Sequence, residues 1–157
     1  MRYKLLFLCA LFAALGSTGA RARQDSEVAT QYREAAAQEA LVKVGIRYRY
    51  GGTSPEQGFD CSGLVAYVYD RAWGVSLPRS TAEQRSVGRA VKREKLAPGD
   101  LVFYNTRNRP YSHVGIYLGD GIFVHAPRRG QRVRLENIDN PYWRARFDGA
   151  RRLDPPG

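Results

Sequence analysis

The sequence lacks long apolar runs, internal repeats and low-complexity tracts. Its longest apolar run, from Leu5 to Leu15, has 11 residues, whereas a helix needs about 20 to span a bilayer. The absence of a repeat excludes solenoid folds. A composition of 43% apolar and 25% charged residues is ordinary for a globular protein. With 157 residues, the chain has room for one domain with one hydrophobic core.

The N-terminal segment has the three-part pattern of a secretory signal peptide. Arg2 and Lys4 form a short basic region, and the apolar run from Leu5 to Leu15 follows it. The next seven residues are mostly small and end in Ala20-Arg21-Ala22, which suits cleavage after Ala22. We therefore expect a signal peptide over residues 1–22 and a secreted domain over residues 23–157. The alternative is that the segment is retained as an N-terminal membrane anchor.

Cysteine and histidine are both scarce in the predicted mature chain. Cleavage after Ala22 removes Cys9 and leaves Cys61 as a single cysteine, together with two histidines. An unpaired cysteine in an oxidising compartment is either buried and inert or kept for its thiol chemistry, and composition leaves both readings open. Cleavage also leaves 22 basic and 15 acidic residues, a net charge of +7.

One helix is predicted before the glycine-rich loop of residues 46–58, and a shorter helix is predicted after Pro78. Alanine and other good helix formers fill Glu27–Val44, and Gly45 is a plausible end for that helix. Further along, Ser80-Thr81-Ala82-Glu83 has the pattern of a capping box, which predicts a short helix after Pro78.

The segment Cys61–Trp73 has the clearest helical pattern. An apolar stripe recurs at helical spacing, and Asp60 is a favourable N-cap residue before it. Phe59 and Leu64 occupy the two positions of a hydrophobic staple. Cys61 is therefore predicted to be the first residue of a buried helix.

Short strands are predicted in the C-terminal half, where β-branched and aromatic runs alternate with turn residues. The predicted strands are Leu101–Tyr104, His113–Leu118, Ile122–His125 and Val133–Leu135, with residues 150–153 as an edge strand. Helices followed by an antiparallel meander predict an α+β domain with the helices on one face of the sheet.

Both histidines lie in one predicted hairpin, around Gly119-Asp120-Gly121. A two-residue loop would place His113 and His125 on opposite faces of the sheet. A three-residue loop pairs His125 with Gly115 and places both histidines on one face, and the final glycine suits the left-handed position of such loops. We therefore expect a three-residue loop.

A helix-opening cysteine beside two histidines can form a catalytic triad. The positive end of the helix and a nearby imidazole would both lower the pKa of the thiol. Cys61 would attack, His113 would carry the proton and His125 would orient His113. Two alternatives remain: a cysteine that only packs in the core, and a zinc site with these three ligands. Because the spacings match no tight metal motif, no metal or other cofactor is expected.

Six segments together resemble the NlpC-type cell-wall peptidases in order and spacing. The segments are Tyr48-Arg49-Tyr50-Gly51-Gly52, Asp60-Cys61-Ser62-Gly63, Leu77-Pro78-Arg79-Ser80-Thr81, Pro98-Gly99-Asp100-Leu101-Val102-Phe103, His113-Val114-Gly115-Ile116-Tyr117 and Phe123-Val124-His125-Ala126. The resemblance extends from about residue 30 to the end and implies a compact papain-like fold. The arginine-rich tail after Pro141 is similar to that of Spr-type endopeptidases of Gram-negative bacteria, which implies a periplasmic location.

The resemblance assigns roles to individual residues. It implies Cys61 as nucleophile, His113 as base and His125 as third polar residue. It implies Tyr48 in the oxyanion hole, with backbone N–H groups at the start of the helix; here Ser62 would contribute its N–H rather than its hydroxyl.

Two roles are considered for each of two charged residues near the site, Asp60 and Arg79. Asp60 would contact a free amine of the substrate, cap the helix, or do both. Arg79 would bind a carboxylate or be a solvated loop residue.

The expected function is hydrolysis of peptide bonds in peptidoglycan by a Cys-His-His mechanism. The cross-link between D-alanine and diaminopimelate is the favoured bond. The alternatives are the bond between γ-D-glutamate and diaminopimelate, and a catalytically silent wall-binding protein. The basic surface suits a polyanionic wall, whereas export and the lack of a nucleic-acid motif argue against nucleic acid as partner. No stable membrane anchor is expected after signal cleavage, and a regulatory protein partner is left unidentified by the sequence.

Overall fold

A computed structural model describes residues 12–156 as an α+β domain. Its helices are α1 (Phe12–Leu41), α2 (Cys61–Trp73), α3 (Thr81–Gln84) and α4 (Pro141–Arg146), with one turn of 3₁₀-helix at Arg93–Lys95. Its strands are β1 (Thr53–Ser54), β2 (Gly58–Phe59), β3 (Arg89–Val91), β4 (Leu101–Tyr104), β5 (His113–Gly119), β6 (Ile122–His125), β7 (Arg134–Asn137) and β8 (Phe147–Arg152).

Six of the strands form one antiparallel sheet in the order β3-β8-β4-β5-β6-β7, and β1 and β2 form a separate hairpin. Alternate residues of β4 face opposite sides of the sheet. Leu101 and Phe103 pack with α1 and α2 in the main core, whereas Val102 and Tyr104 pack in a smaller cluster with Trp143 of α4. The prediction of helices packed on an antiparallel sheet is therefore confirmed, although α4 adds a helix on the second face.

Helix α1 extends further towards the N-terminus than the predicted Glu27–Val44 and ends three residues earlier, at Leu41. Its buried contacts with the core come from its second half, through Ala36, Ala37 and Ala40. Residues 19–28 are all exposed, so the side chains on either side of the predicted cleavage position make no buried contacts. Arg2, Lys4 and most of the apolar run lie outside the described residues. Within residues 12–156, no helix is both long enough and apolar enough to cross a membrane.

The prediction for α2 is confirmed at both ends. The helix spans Cys61–Trp73, and the Asp60 carboxylate accepts a hydrogen bond from the N–H of Gly63 at 2.7 Å. Gly74 ends the helix in the left-handed conformation, with φ of +66°. Phe59 and Leu64, the predicted staple, are both fully buried. Local sequence thus specifies the position of Cys61 at the start of a buried helix.

The C-terminal segment differs from the prediction of an edge strand over residues 150–153. Strand β8 begins at Phe147 and lies inside the sheet, between β3 and β4. The edge position is taken by β3, a three-residue strand with two exposed residues that the sequence pattern did not predict. Pairing with β8 creates this strand, because its own residues Arg89–Val91 lack the alternation of a half-buried strand.

Candidate active site

Cys61 lies where the N-terminus of α2 meets strand β5 of the sheet. The backbone N–H groups of Val114 and Ser62 lie close enough to its sulfur to lower the pKa of the thiol. Val114 directly follows His113 along β5, so Cys61 lies next to the backbone at the first histidine. The fold thereby brings together two residues that are 52 positions apart in sequence.

The hairpin of β5 and β6 has the predicted register but not the predicted loop. Ile116 pairs with Val124 and Tyr117 with Phe123, which is the register expected for a three-residue loop. The strands are instead joined by Asp120 and Gly121, a two-residue turn in which both residues have positive φ. An irregularity between Tyr117 and Gly119 adds one residue to β5 and shifts the register back. The predicted three-residue loop is therefore wrong. The bulge in β5 nevertheless places His113 and His125 on the same face of the sheet, as that loop would have done.

The two histidines lie on one face of the sheet and contact each other. The Nε2 atom of His113 is 2.7 Å from the Nδ1 atom of His125, and both rings are buried. Gly115 leaves room for His125, since a Cβ at Gly115 would lie 3.3 Å from the His125 Cβ and 2.7 Å from the Phe123 ring. Because Nε2 of His113 is engaged by His125, Nδ1 is the nitrogen left to accept a proton.

Trp143 of α4 packs against both imidazoles. Its ring stacks on His113 with centroids 5.8 Å apart, and it meets His125 edge-on at 4.9 Å. Asn140 caps α4 by accepting a hydrogen bond from the N–H of Tyr142. The tail after Pro141, which the sequence identified only by resemblance, therefore packs against the histidine pair.

The pKa of the Cys61 thiol differs from the sequence prediction. Burial raises this pKa above its ordinary value, and the nearby Asp60 carboxylate raises it further. The N–H groups of Val114 and Ser62 and the charge of Arg107 act in the opposite direction but do not outweigh burial. The surroundings of Cys61 therefore favour the protonated thiol over the thiolate.

Burial lowers the pKa of both histidines. The pKa of His113 falls to about 3 from 6.5, first by loss of solvent and then by the charge of Arg107. The pKa of His125 falls well below its ordinary value for the same first reason, with further contributions from His113 and Arg134. Both rings are therefore neutral at physiological pH, which suits a proton acceptor.

The lowered pKa of His113 predicts acid sensitivity of the fold. Between about pH 6.5 and pH 3, the unfolded chain binds a proton at this residue and the folded chain does not. The free energy of unfolding should therefore fall as the pH falls, by about 1.4 kcal/mol per pH unit from this residue. Urea unfolding at pH 7, 6 and 5 measures the slope. His113→Asn should make the slope shallower, and identical slopes in both proteins would contradict the assignment.

Asp60, Ser62 and Arg79 form a network at the N-terminus of α2. One Arg79 guanidinium nitrogen is 2.9 Å from the Asp60 carboxylate, and the other donates to the Ser62 hydroxyl at 2.9 Å. Asp60 also accepts a hydrogen bond from the N–H of Gly51 at 2.8 Å. Arg79 is an exposed loop residue, as one reading expected, and its side chain also links that loop to the helix. Contacts of Asp60 and Arg79 with a substrate stay predictions.

Tyr48 is half-buried next to Cys61, and Arg107 lies beside its hydroxyl. Burial raises the pKa of Tyr48, so the phenol stays protonated and able to donate a hydrogen bond. Sequence reasoning did not identify Arg107, although its charge acts on Tyr48, Cys61 and His113. No sequence signal singles it out, because it is one of several arginines in exposed loops.

Gly63 lets the loop at Gly52 approach α2 closely. A Cβ at Gly63 would lie 2.1 Å from the carbonyl oxygen of Gly52, which is backbone and cannot move freely. A Cβ at Gly52 would in turn lie 2.2 Å from the carbonyl oxygen of Gly58. The Asp60 network and the position of Cys61 thus depend on two residues that have no side chain.

Gly63→Ala should destabilise the fold by about 3 kcal/mol and lower Tm by roughly 10 °C, since backbone must shift to relieve the contact. Thermal unfolding followed by circular dichroism measures the change. Asp70→Ala is the matched control, because Asp70 is exposed on the same helix and should change Tm by less than about 2 °C. Equal melting temperatures for the two variants would refute the close approach.

Within residues 12–156, no cluster of three histidine, cysteine, aspartate or glutamate side chains could hold a metal ion.

Comparison with known proteins identifies relatives for most of the chain. The NlpC/P60 family model matches residues 45–152. Murein DD-endopeptidase MepH of Escherichia coli is 40% identical over 119 residues, covering 74% of this chain and 44% of that protein. Gamma-DL-glutamyl hydrolase of Bacillus subtilis is 43% identical over 118 residues, covering 74% of this chain and 28% of that protein. The crystal structure of an NlpC/P60 family protein from Bacillus cereus superposes with a TM-score of 0.71 at 34% identity, covering 78% of this chain and 40% of that chain. This chain therefore matches less than half the length of each of these three relatives.

Proposed function

This chain belongs to the NlpC/P60 family, and on that premise we propose that it is a peptidoglycan endopeptidase with Cys61 as its nucleophile. One observation carries the proposal. The Cys61 sulfur lies at the N–H of Val114, directly after His113, and His113 lies 2.7 Å from His125. A thiol, a neutral base and a residue that orients the base are the parts that acyl transfer by a cysteine requires.

The proposed mechanism uses Nδ1 of His113, because the other ring nitrogen, Nε2, contacts His125. Nδ1 of His113 takes the proton of Cys61 as the sulfur bonds to the carbonyl carbon of the scissile peptide. The same nitrogen then gives that proton to the leaving amine as the carbon–nitrogen bond breaks, which leaves a thioester. Water, deprotonated by His113, hydrolyses the thioester to a carboxylate and restores the thiol. His125 accepts the N–H of Nε2 throughout, which keeps Nδ1 free and stabilises the imidazolium.

The oxyanion formed during attack needs hydrogen-bond donors. The hydroxyl of Tyr48 and the N–H of Ser62 are both next to the sulfur, and burial keeps the Tyr48 hydroxyl protonated. Each such donor contributes about 3 kcal/mol to a transition state of this kind. The Ser62 hydroxyl is held by Arg79 instead, so Ser62 acts through its backbone.

For the substrate, we favour the cross-link between D-alanine and diaminopimelate over the bond between γ-D-glutamate and diaminopimelate. Relatives carry both kinds of name: a murein DD-endopeptidase and a gamma-DL-glutamyl hydrolase. The third candidate is a wall-binding protein without activity. The intact constellation of Tyr48, Cys61, His113 and His125 argues against it.

For the location, we propose secretion into the periplasm after cleavage behind Ala22. The exposed N-terminal part of α1 supports this, since the core contacts of that helix begin well after the cleavage position. The net charge of +7 on residues 23–157 would concentrate the domain near the anionic wall.

Purified muropeptides distinguish the candidate bonds. The protein is incubated with cross-linked dimers and, separately, with uncross-linked tetrapeptide stems, and the products are identified by mass. We expect conversion of dimers to intact tetrapeptide monomers. Release of dipeptide stems from monomers would transfer the assignment to the γ-D-glutamyl bond. Binding to sacculi without any hydrolysis would favour the silent wall-binding protein, and Cys61→Ala is the inactive control.

A further inference from the structure

A polar cavity of about 440 Å³ opens beside the histidine pair. It lies between the loop that joins β4 to β5, the loop that follows β6, and helix α4. The side chains that line it include Arg107, His113, Arg128, Arg134, Glu136, Tyr142 and Trp143. Cys61 does not line the cavity, so the cavity adjoins the base and not the sulfur.

Positive charge in this cavity is only partly neutralised. Arg134 forms an ion pair with Glu136 at 2.8 Å, and both side chains line the cavity. Arg107 and Arg128 have no carboxylate within 4.0 Å among residues 12–156. Two guanidinium groups without a carboxylate partner suit a planar anion, since their N–H groups match both oxygens of a carboxylate. The cavity therefore has positive charge that its own carboxylate does not neutralise.

The position of His113 tells which part of a substrate reaches the cavity. The base returns its proton to the leaving amine, so the nitrogen of that amine must lie against the His113 ring. A cavity that is lined by His113 and not by Cys61 thus adjoins the leaving group rather than the acyl group. Tyr142 and Trp143 also line the cavity, and Trp143 packs against the His113 ring.

The two candidate bonds differ in what accompanies the leaving amine. When a D-alanyl cross-link is cut, the amine released from diaminopimelate carries a free carboxylate on the same carbon. When the γ-D-glutamyl bond of a tetrapeptide stem is cut, the carboxyl group on that carbon is tied up in the next amide. Only the cross-link therefore presents a carboxylate next to the base.

We propose that this cavity is a carboxylate subsite in which Arg107 and Arg128 bind the free carboxylate of the leaving diaminopimelate. The inference rests on the proposed function and adds the reason for choosing the cross-link. Arg107 faces both the cavity and the reacting atoms, whereas Arg128 faces the cavity without acting on Cys61, His113 or Tyr48. Arg128 is therefore the cleaner residue to test.

The test compares cross-linked dimers that differ in one group. In one dimer the diaminopimelate carboxylate beside the cross-link is free, and in the other it is amidated. The protein should cleave the free form with about 10- to 100-fold higher kcat/KM, the size expected for hydrogen bonds to a charged group. Arg128→Gln should lose most of this preference by slowing cleavage of the free form alone. Arg129→Gln, the neighbouring exposed arginine outside the cavity, should keep it.

Equal cleavage of the two dimers by the wild-type protein would overturn the subsite and leave the proposed function standing. A loss in Arg128→Gln that is the same on both dimers would also overturn it. Binding of the two dimers to the Cys61→Ala protein, measured by calorimetry, tests the carboxylate subsite separately from the proposed peptidase activity. Tighter binding of the free form without hydrolysis by the wild-type protein would support the subsite and reject the peptidase.

Discussion

Cys61→Ala should abolish hydrolysis of peptidoglycan, lowering kcat/KM by roughly 10⁴-fold or more. No other cysteine exists in the predicted mature chain to replace the sulfur. The fold should be preserved, because a small side chain replaces a small one at the start of a helix whose cap and staple are unchanged. Release of soluble muropeptides from sacculi measures the activity, and thermal unfolding checks the fold.

Cys61→Ser is the matched companion, since it keeps the size and polarity of the side chain but supplies a much weaker nucleophile at neutral pH. It should be as inactive as Cys61→Ala while binding sacculi as the wild-type protein does. Digestion of sacculi by either variant at the wild-type rate would remove Cys61 from the mechanism.

His113→Ala should be almost as damaging as the loss of Cys61, by roughly 10³-fold or more in kcat/KM. Burial keeps its imidazole neutral, and His125 contacts its Nε2 atom. The double variant Cys61→Ala/His113→Ala should be no worse than Cys61→Ala alone, because the two residues act as one unit. Losses that multiply would mean that the two residues contribute to separate steps.

His125 should tolerate substitution better than His113. His125→Ala removes the partner of His113 Nε2 and should lower kcat/KM by roughly 10²-fold. His125→Asn should be milder still, because an amide oxygen can accept the same N–H and keep the imidazole in its working tautomer. Equal and slight effects of alanine at both histidines would reject the triad.

Local sequence predicted the elements that carry the candidate site. Both bounds of Cys61–Trp73, its Asp60 cap and strands β4 and β6 appear in the structure as predicted, because caps, apolar spacing and turn residues act within a few positions. The shared face of the two histidines was also predicted, although a bulge and not a longer loop produces it. The helices on an antiparallel sheet followed from the order of these elements.

The sequence by itself therefore determined where Cys61, His113 and His125 stand in their own elements. Only the tertiary structure decided what surrounds them. It set Trp143 against the imidazoles, Arg79 onto Asp60 and Arg107 beside Tyr48, through contacts between segments far apart in the chain.

It also reversed the expected direction of the thiol pKa, because the extent of burial depends on every segment that packs around Cys61. Strand β8 lies inside the sheet for the same reason: β3, which has no strand pattern of its own, pairs with it and takes the edge. Caps and periodicity act over a few residues and can be recognised in a sequence. Desolvation and charge act through space, so the packing of the whole domain decides them.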